Sequence, residues 1–379
     1  MTAIPFFDRT RVDAPLEAEL TEVFQRVLRS GRYILGQEVE AFEAACAAYL
    51  NVSCAVGVSS GTDALIVALS AHGIGPGDEV ICPAFTFAAT ALAVARVGAR
   101  PVFADIDAAS FLLDPASVSA VTTARTRAIV AVHLFGRCAP MDALHALAAP
   151  RGIAVIEDAA QAFGADLGGT RAGALGTVGC FSLFPTKNLG GFGDGGLVTT
   201  PDTALAERAR VLRAQGTRRK YHHELVGGNF RLDALQAALL RRMLPHLDAR
   251  LAMRRHLAAR YDALLASAGV PVSAPSLSPG HTYNQYVVRV HGGQRDALRA
   301  FLAARGVGTE VYYPEPLHVQ PCFAGPGAVA GPSAAETSLP VAEAATREAL
   351  ALPIFPGLTE EEVTRVVAEI AAFPGWSST

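Results

Sequence analysis

Lysine is nearly absent from this chain of 379 residues: of its 32 Lys and Arg side chains, only Lys187 and Lys220 are lysines. Arginine carries charge, holds phosphate and covers a solvated face at least as well, but its guanidinium stays protonated near neutral pH and cannot attack a carbonyl as an amine. A lysine kept in "FSLFPTKNLGGFGDGG" (181–196) is therefore a candidate for amine chemistry, with an ordinary charged loop residue as the plain alternative. Long apolar runs are missing too, and none approaches the ~20 residues that cross a bilayer, so no membrane-spanning role is expected. Paired cysteines are missing: Cys46, Cys54, Cys82, Cys138, Cys180 and Cys322 show no CxxC spacing. They read as reduced, mostly buried thiols of a cytoplasmic protein, with no metal site. The start, "MTAIPFFDRTRVDAPLEAEL", is acidic and broken by prolines, unlike a signal peptide. Formal net charge is −3 and no basic stripe stands out, which argues against a nucleic-acid partner. The one basic cluster, "GTRRKYHHE", suits a small phosphorylated ligand better.

What is abundant is apolar surface: 51% of residues are hydrophobic and only 18% charged, enough for a large core and a subunit interface. Two stretches at helical spacing, 16–30 and 38–50, flank "GRYILG". From 52 to about 200, short apolar runs alternate with helical ones: "CAVGVSS", "DEVICP", "RAIVAVHLFG", "IAVIEDAA", "GCFSLF" and "GGLVTT" are the strand candidates. Such alternation predicts an α/β protein with a mainly parallel sheet, whose ligands sit beyond the carboxyl ends of the strands. After Arg231 comes a long helical stretch interrupted at Pro245, then a smaller α+β unit with "YNQYVVRV" as a strand. The expected division is a large unit over 1–250 and a small one over 251–379.

Four features converge with Lys187. "SSGTDAL" (59–65) places Gly61, Thr62 and Asp63 at a strand-to-helix turn, where free N–H groups and a hydroxyl either bind phosphate or merely cap the helix. Asp158 ends a very apolar strand in "IEDAAQAFG" and needs a cationic or hydrogen-bonding partner. A protonated pyridine nitrogen is such a partner, with Gln161 in reach of a neighbouring ring oxygen; a helix-capping aspartate is the alternative. Phe87, in "PAFTFAAT", either stacks on a flat ring or sits in the core. Ser182, before the lysine, offers a further phosphate contact. A Walker loop is excluded, because its lysine follows the glycines and here they follow the lysine. Together the set describes a site for pyridoxal 5′-phosphate.

In these motifs, and in "SGRYILGQEVEAFE", "GPGDEVICPAFTF", "NFRLDALQAA", "YYPEPLHVQPCF" and "ALPIFPGLT", the chain resembles the sugar aminotransferases of the DegT/DnrJ/EryC1/StrS family over nearly its whole length. The resemblance implies the fold-type I, aspartate aminotransferase-like architecture: a large cofactor-binding domain and a smaller C-terminal one. It implies that Lys187 takes the cofactor's aldehyde, Asp158 faces the pyridine nitrogen, Gln161 lies near the phenolic oxygen and Phe87 on the ring. Gly61, Thr62, Asp63 and Ser182 match the phosphate contacts, and Asn229 the residue that reaches the neighbouring subunit's phosphate in a homodimer. L-Glutamate is the implied amino donor. The acceptor would be a nucleotide-diphospho keto-hexose, 3-keto ahead of 4-keto, held by Lys220, His222, His223, Arg231, Tyr313 and His318. Two other readings remain, a sugar dehydratase and a cofactor-binding regulator. Intact Lys187 and unclustered cysteines weigh against the first, and the lack of a DNA-binding segment against the second.

Overall fold

Seven short strands line up in one sheet: β1 (Cys54–Val58), β2 (Glu79–Pro83), β3 (Arg100–Ala104), β4 (Thr126–Val132), β5 (Ala154–Asp158), β6 (Val178–Ser182) and β7 (Gly196–Thr200). The computed structural model describes residues 2–324 and 338–378. Residues 1, 325–337 and 379 of the two expected units lie outside the described residues. Strand order is β1-β7-β6-β5-β4-β2-β3, with parallel pairing from β3 through β6. Only β7 departs, running antiparallel to both its neighbours. The expected α/β class, with a mainly parallel sheet, is what forms.

Alternate residues of the strands serve opposite faces, because side chains alternate along a strand. Val56 and Val58 pack with Ala64, Leu65 and Ala68 of the helix Gly61–Ala71. Ala55 faces the other way, into a core with Phe42 and Cys46 of the helix Gln37–Leu50 and Leu240 of the helix Ala234–Met243. Both faces are thus covered, which is why these strands read as continuous apolar runs rather than alternating ones. Strand β3 escapes the sequence reading because it contains Pro101; it pairs only with β2, and an edge strand tolerates a proline.

The long helical stretch after Arg231 breaks where Pro245 lacks an N–H donor: the helix Ala234–Met243 gives way to a 3-10 turn, Leu244–His246, before the helix Leu247–Ala268. That last helix is shared between cores. Leu247 and Leu251 pack with the sheet's helices, whereas Leu257, Tyr261 and Leu265 pack with the C-terminal strand Tyr286–Val290 and helix Glu360–Ala371. Strand Tyr286–Val290 pairs with Ala349–Leu352, a stretch of alanine and leucine with little strand propensity of its own. The N-terminus departs from a division at 250. Ile4 accepts the Gly308 N–H at 2.9 Å and donates to Gly306 O at 2.7 Å, so the backbone at Ile4 lies on the C-terminal unit.

One buried ion pair ties the start of the sheet to its covering helices. Glu43 and Arg213, each 7% exposed, pair with each other while Glu43 accepts the Gly57 N–H and Arg213 donates to Gly57 O. Removing one partner strands a buried charge, so Arg213→Met should destabilise the fold by about 3–5 kcal/mol. Pairing it with Glu43→Gln should recover part of that loss. Urea midpoints at matched protein concentration measure both, and a single substitution that left the midpoint unmoved would contradict this role.

Candidate active site

The carboxyl ends of β2, β4 and β5 open onto a cavity of about 590 Å³ that Lys187, Asp158, Gln161, Ser182, Phe87 and Tyr313 all line. One end is built for an anion. The helix Gly61–Ala71 starts directly after β1, with Ser60 as its cap: Ser60 Oγ accepts the Asp63 N–H at 3.0 Å. Asp63 thus spends its N–H on the cap, and its carboxylate accepts hydrogen bonds from Ser59 and Ser60 at 2.6 and 2.8 Å. Gly61 and Thr62 line the cavity, and among the described residues their first-turn N–H groups have no protein acceptor. A Cβ at Gly61 would stand 2.7 Å from Ser182 Cβ, so only glycine lets the end of β6 lie against this helix terminus. Backbone N–H groups, the helix dipole and the Ser182 and Thr62 hydroxyls are donors of the kind a phosphate takes up at a helix start.

The other end is built around a carboxylate. Asp158, the last residue of β5, is 6% exposed; its Oδ1 accepts the Ala160 N–H at 3.2 Å and its Oδ2 the Thr90 hydroxyl at 2.7 Å. Burial pushes its pKa upward, and the Thr90 and Ala160 hydrogen bonds, then Lys187 and His133, pull it back. Gln161 is locked: Oε1 accepts the Phe135 N–H at 2.6 Å and Nε2 donates to Tyr313 OH at 3.0 Å. Among the described residues its second N–H has no partner. Phe87 is 60% exposed, so it is no core residue; its ring lies 6.2 Å from that of Tyr313. His133 Nε2 lies 2.8 Å from Glu157 Oε2 while its Nδ1 accepts the Ala139 N–H at 2.9 Å, so the ring is held on both sides.

Lys187 hangs in a loop clamped at both ends, by Leu183 N–H to Gly195 O at 2.8 Å and Gly191 N–H to Leu183 O at 2.7 Å. The glycine after Leu189 is required, since a Cβ at Gly190 would meet Pro185 O at 2.4 Å. No hydrogen bond or ion pair among the described residues holds the Lys187 amine. Burial lowers its pKa to about 8 against the opposing pull of Asp158. The result is an amine that is part neutral near physiological pH, opposite a carboxylate, between a helix start and an exposed aromatic face. A phosphorylated aromatic aldehyde with a basic ring nitrogen fits this donor set at every position.

Other expected site residues are elsewhere in the single chain. Lys220, His222 and His223 ride on or beside an exposed two-stranded ribbon, Thr217–Arg219 with His222–His223. Asn229 is exposed and bridges to Ala214, and Arg231 bridges to Val58 with its Nε buried and unpartnered. None of them lines the cavity. His318 is 1% exposed, 3.6 Å from Glu343, and does not line it either. Conversely, Thr86, Asp194 and Gln285 line the cavity without having been singled out, and Thr90 reaches Asp158 from behind it. The i,i+4 spacing of Thr86 and Thr90 in "PAFTFAAT" was a readable signal; Gln285 had none. A wider groove of about 840 Å³, between residues 9–24 and the helix Ala234–Met243, holds Arg9, Phe24, Phe192 and Leu239 but no lysine or nucleophile positioned for this chemistry.

The sequence matches the DegT/DnrJ/EryC1/StrS aminotransferase family over residues 15–371. It is 48% identical over 373 residues to a "Pleiotropic regulatory protein" of Geobacillus stearothermophilus, covering 98% of each chain. It is also 48% identical over 367 residues to a dTDP-3-amino-3,4,6-trideoxy-alpha-D-glucose transaminase of Streptomyces venezuelae, covering 96% of this chain and 94% of that one. The crystal structure of S. venezuelae DesV in complex with a ketimine intermediate superposes with a TM-score of 0.92 at 46% identity, covering 98% of both chains. With a lysine, a carboxylate and a helix start gathered in one cavity, and similarity running the length of the chain, the protein is a member of the DegT/DnrJ/EryC1/StrS aminotransferase family.

Proposed function

We propose that this sugar aminotransferase moves an amino group from L-glutamate to a nucleotide-diphospho 3-keto-hexose. The observation that carries the reading is the Lys187 amine, lowered to about 8 by burial and set opposite Asp158 in one cavity. The group these residues fit is pyridoxal 5′-phosphate: the N–H groups of Gly61 and Thr62 with Ser182 for its phosphate, Phe87 for its ring face, Gln161 for its phenolic oxygen. Bound there, the cofactor supplies an aldehyde that condenses with amines and a ring that accepts electrons. Asp158 keeps the ring nitrogen protonated, since an anion buried beside that nitrogen favours the charged pyridinium. Lys187 Nζ takes a proton from the donor's α-carbon and returns one, a dual role that suits a group titrating near the working pH.

The cavity of one chain contains no arginine and no cation besides Lys187 among its lining residues. A diphosphate and a dicarboxylate both need cations, which supports a homodimer in which the ribbon bearing Lys220, His222 and His223, with Asn229 and Arg231, reaches a neighbour's site. The wide groove supports the same reading: Phe192 lies in it and belongs to the Lys187 loop, so a second copy covering the groove would border the cavity. The 3-amino product in the name of the Streptomyces relative favours a 3-keto over a 4-keto acceptor.

Purified protein incubated with glutamate and a panel of keto-sugar nucleotides, read by mass spectrometry, tests the whole reading. Cofactor binding with no turnover of any sugar would favour a regulator. Lys187→Ala and Lys187→Arg should both abolish turnover, the second because guanidinium stays protonated. In the cofactor-free Lys220→Arg protein, labelling of Lys187 by an amine-reactive reagent should rise with pH through a midpoint near 8, well below the ordinary 10.5. A midpoint at the ordinary value would remove the basis for its acid–base role.

Arg231→Ala should raise KM for the sugar nucleotide roughly tenfold or more while leaving the glutamate KM nearly unchanged, because only the former carries a diphosphate. Unaltered sugar-nucleotide kinetics would contradict the assignment. Mixing Lys187→Ala with an inactive Asn229→Ala protein should restore part of the activity through hybrid dimers. An active monomer in sedimentation would rule out the shared site.

A further inference from the structure

Thr86 and Thr90 stand one turn apart around the start of the helix Ala89–Arg96, 2% and 1% exposed. Neither hydroxyl is needed to satisfy the backbone of that helix start, where the Thr90 N–H already donates to Phe87 O at 3.2 Å. Thr90 Oγ1 instead donates to Asp158 Oδ2 at 2.7 Å, and Thr86 Oγ1 lies 3.2 Å from Thr90 Oγ1. A hydroxyl has one proton, and that of Thr90 is committed to the carboxylate, so Thr86 is the donor in the second bond. The donors therefore run from the cavity wall at Thr86, through Thr90, to Asp158. The same turn carries Phe87, so one short segment holds both the ring-stacking face and the carboxylate.

We propose that Thr90 is a positioning residue for the amino transfer: its hydroxyl, reinforced by Thr86, holds Asp158 as an aligned anion against the cofactor's ring nitrogen. The proposal rests on the cofactor reading above. Among the influences that offset the burial of Asp158, the Thr90 hydrogen bond is the largest. The other groups facing this carboxylate are Lys187 from its loop, His133 after β4, Cys82 in β2, Cys180 in β6 and the Tyr313 phenol. His133 is engaged at both ring nitrogens, by Glu157 and by the Ala139 N–H.

Thr90→Val removes the hydroxyl and keeps the shape. Equilibrium binding of pyridoxal phosphate is compared with that of its 1-deaza analogue, which has carbon in place of the ring nitrogen. Thr90→Val should weaken binding of pyridoxal phosphate about tenfold or more, as expected for losing a hydrogen bond to a charged group. Binding of the analogue should stay unchanged, and Thr90→Ser should restore the wild-type difference. The pH at which the bound cofactor's visible absorbance titrates should shift in Thr90→Val and return in Thr90→Ser. Should Thr90→Val fail to fold, Thr86→Val provides the same comparison with a smaller loss in the same direction. Equal weakening of both cofactors would reduce Thr90 to a packing role and overturn the proposal, as would unchanged binding of pyridoxal phosphate. A wild-type protein that bound neither cofactor would instead overturn the cofactor reading itself.

Discussion

A carboxylate buried at the end of an apolar strand is the constraint around which this molecule is arranged. Asp158 is excluded from water, and an isolated anion there would be expensive, so each neighbouring element contributes something toward its charge. Helix Ala89–Arg96 brings the Thr90 hydroxyl, the turn after β5 brings the Ala160 N–H, and the 184–191 loop brings the Lys187 amine. The amine is itself burdened by burial, and its lowered pKa makes the pair useful for chemistry rather than a simple ion pair.

Precision around that pair comes from backbone packing that only glycine permits. Gly61 lets β6 meet the start of the helix Gly61–Ala71, and Gly190 lets the lysine loop fold back on Pro185. Under the same floor Glu157 accepts N–H groups from Gly173, Leu175 and Gly176 at 2.6–2.9 Å besides His133 Nε2, so the strand end carrying Asp158 is stitched to the loops beside it. Fully satisfied buried networks of this kind hold one geometry, which a site acting on a single ring atom requires.

The cavity is poor in positive charge while the exposed ribbon beyond β7 is rich in it. Charged groups on a solvated ribbon keep their hydration and cost the fold little, whereas arginines in the cavity wall would have competed with Lys187 for Asp158. This separation leaves Lys187 as the one cation among the cavity's lining residues and places the basic side chains on an exposed ribbon.

Much of this was legible in the sequence because local rules dominate there. Apolar runs alternating with helical spacing implied the parallel sheet, the rarity of lysine among arginines drew attention to Lys187, and an acid ending an apolar strand drew attention to Asp158. Some elements were hidden because their stability is not local: β3 carries a proline that only its edge position tolerates, and Ala349–Leu352 becomes a strand only against Tyr286–Val290. Tertiary structure alone decided that Gln285 and Asp194 face the cavity while His318 is enclosed in the core, and that Asp63 spends its N–H on the Ser60 cap. It also decided that Thr90 serves Asp158, a pairing across 68 positions of chain. Spacing along a strand or helix sets which face a residue occupies, but its partner across the fold depends on how separate elements pack, and no local pattern encodes that.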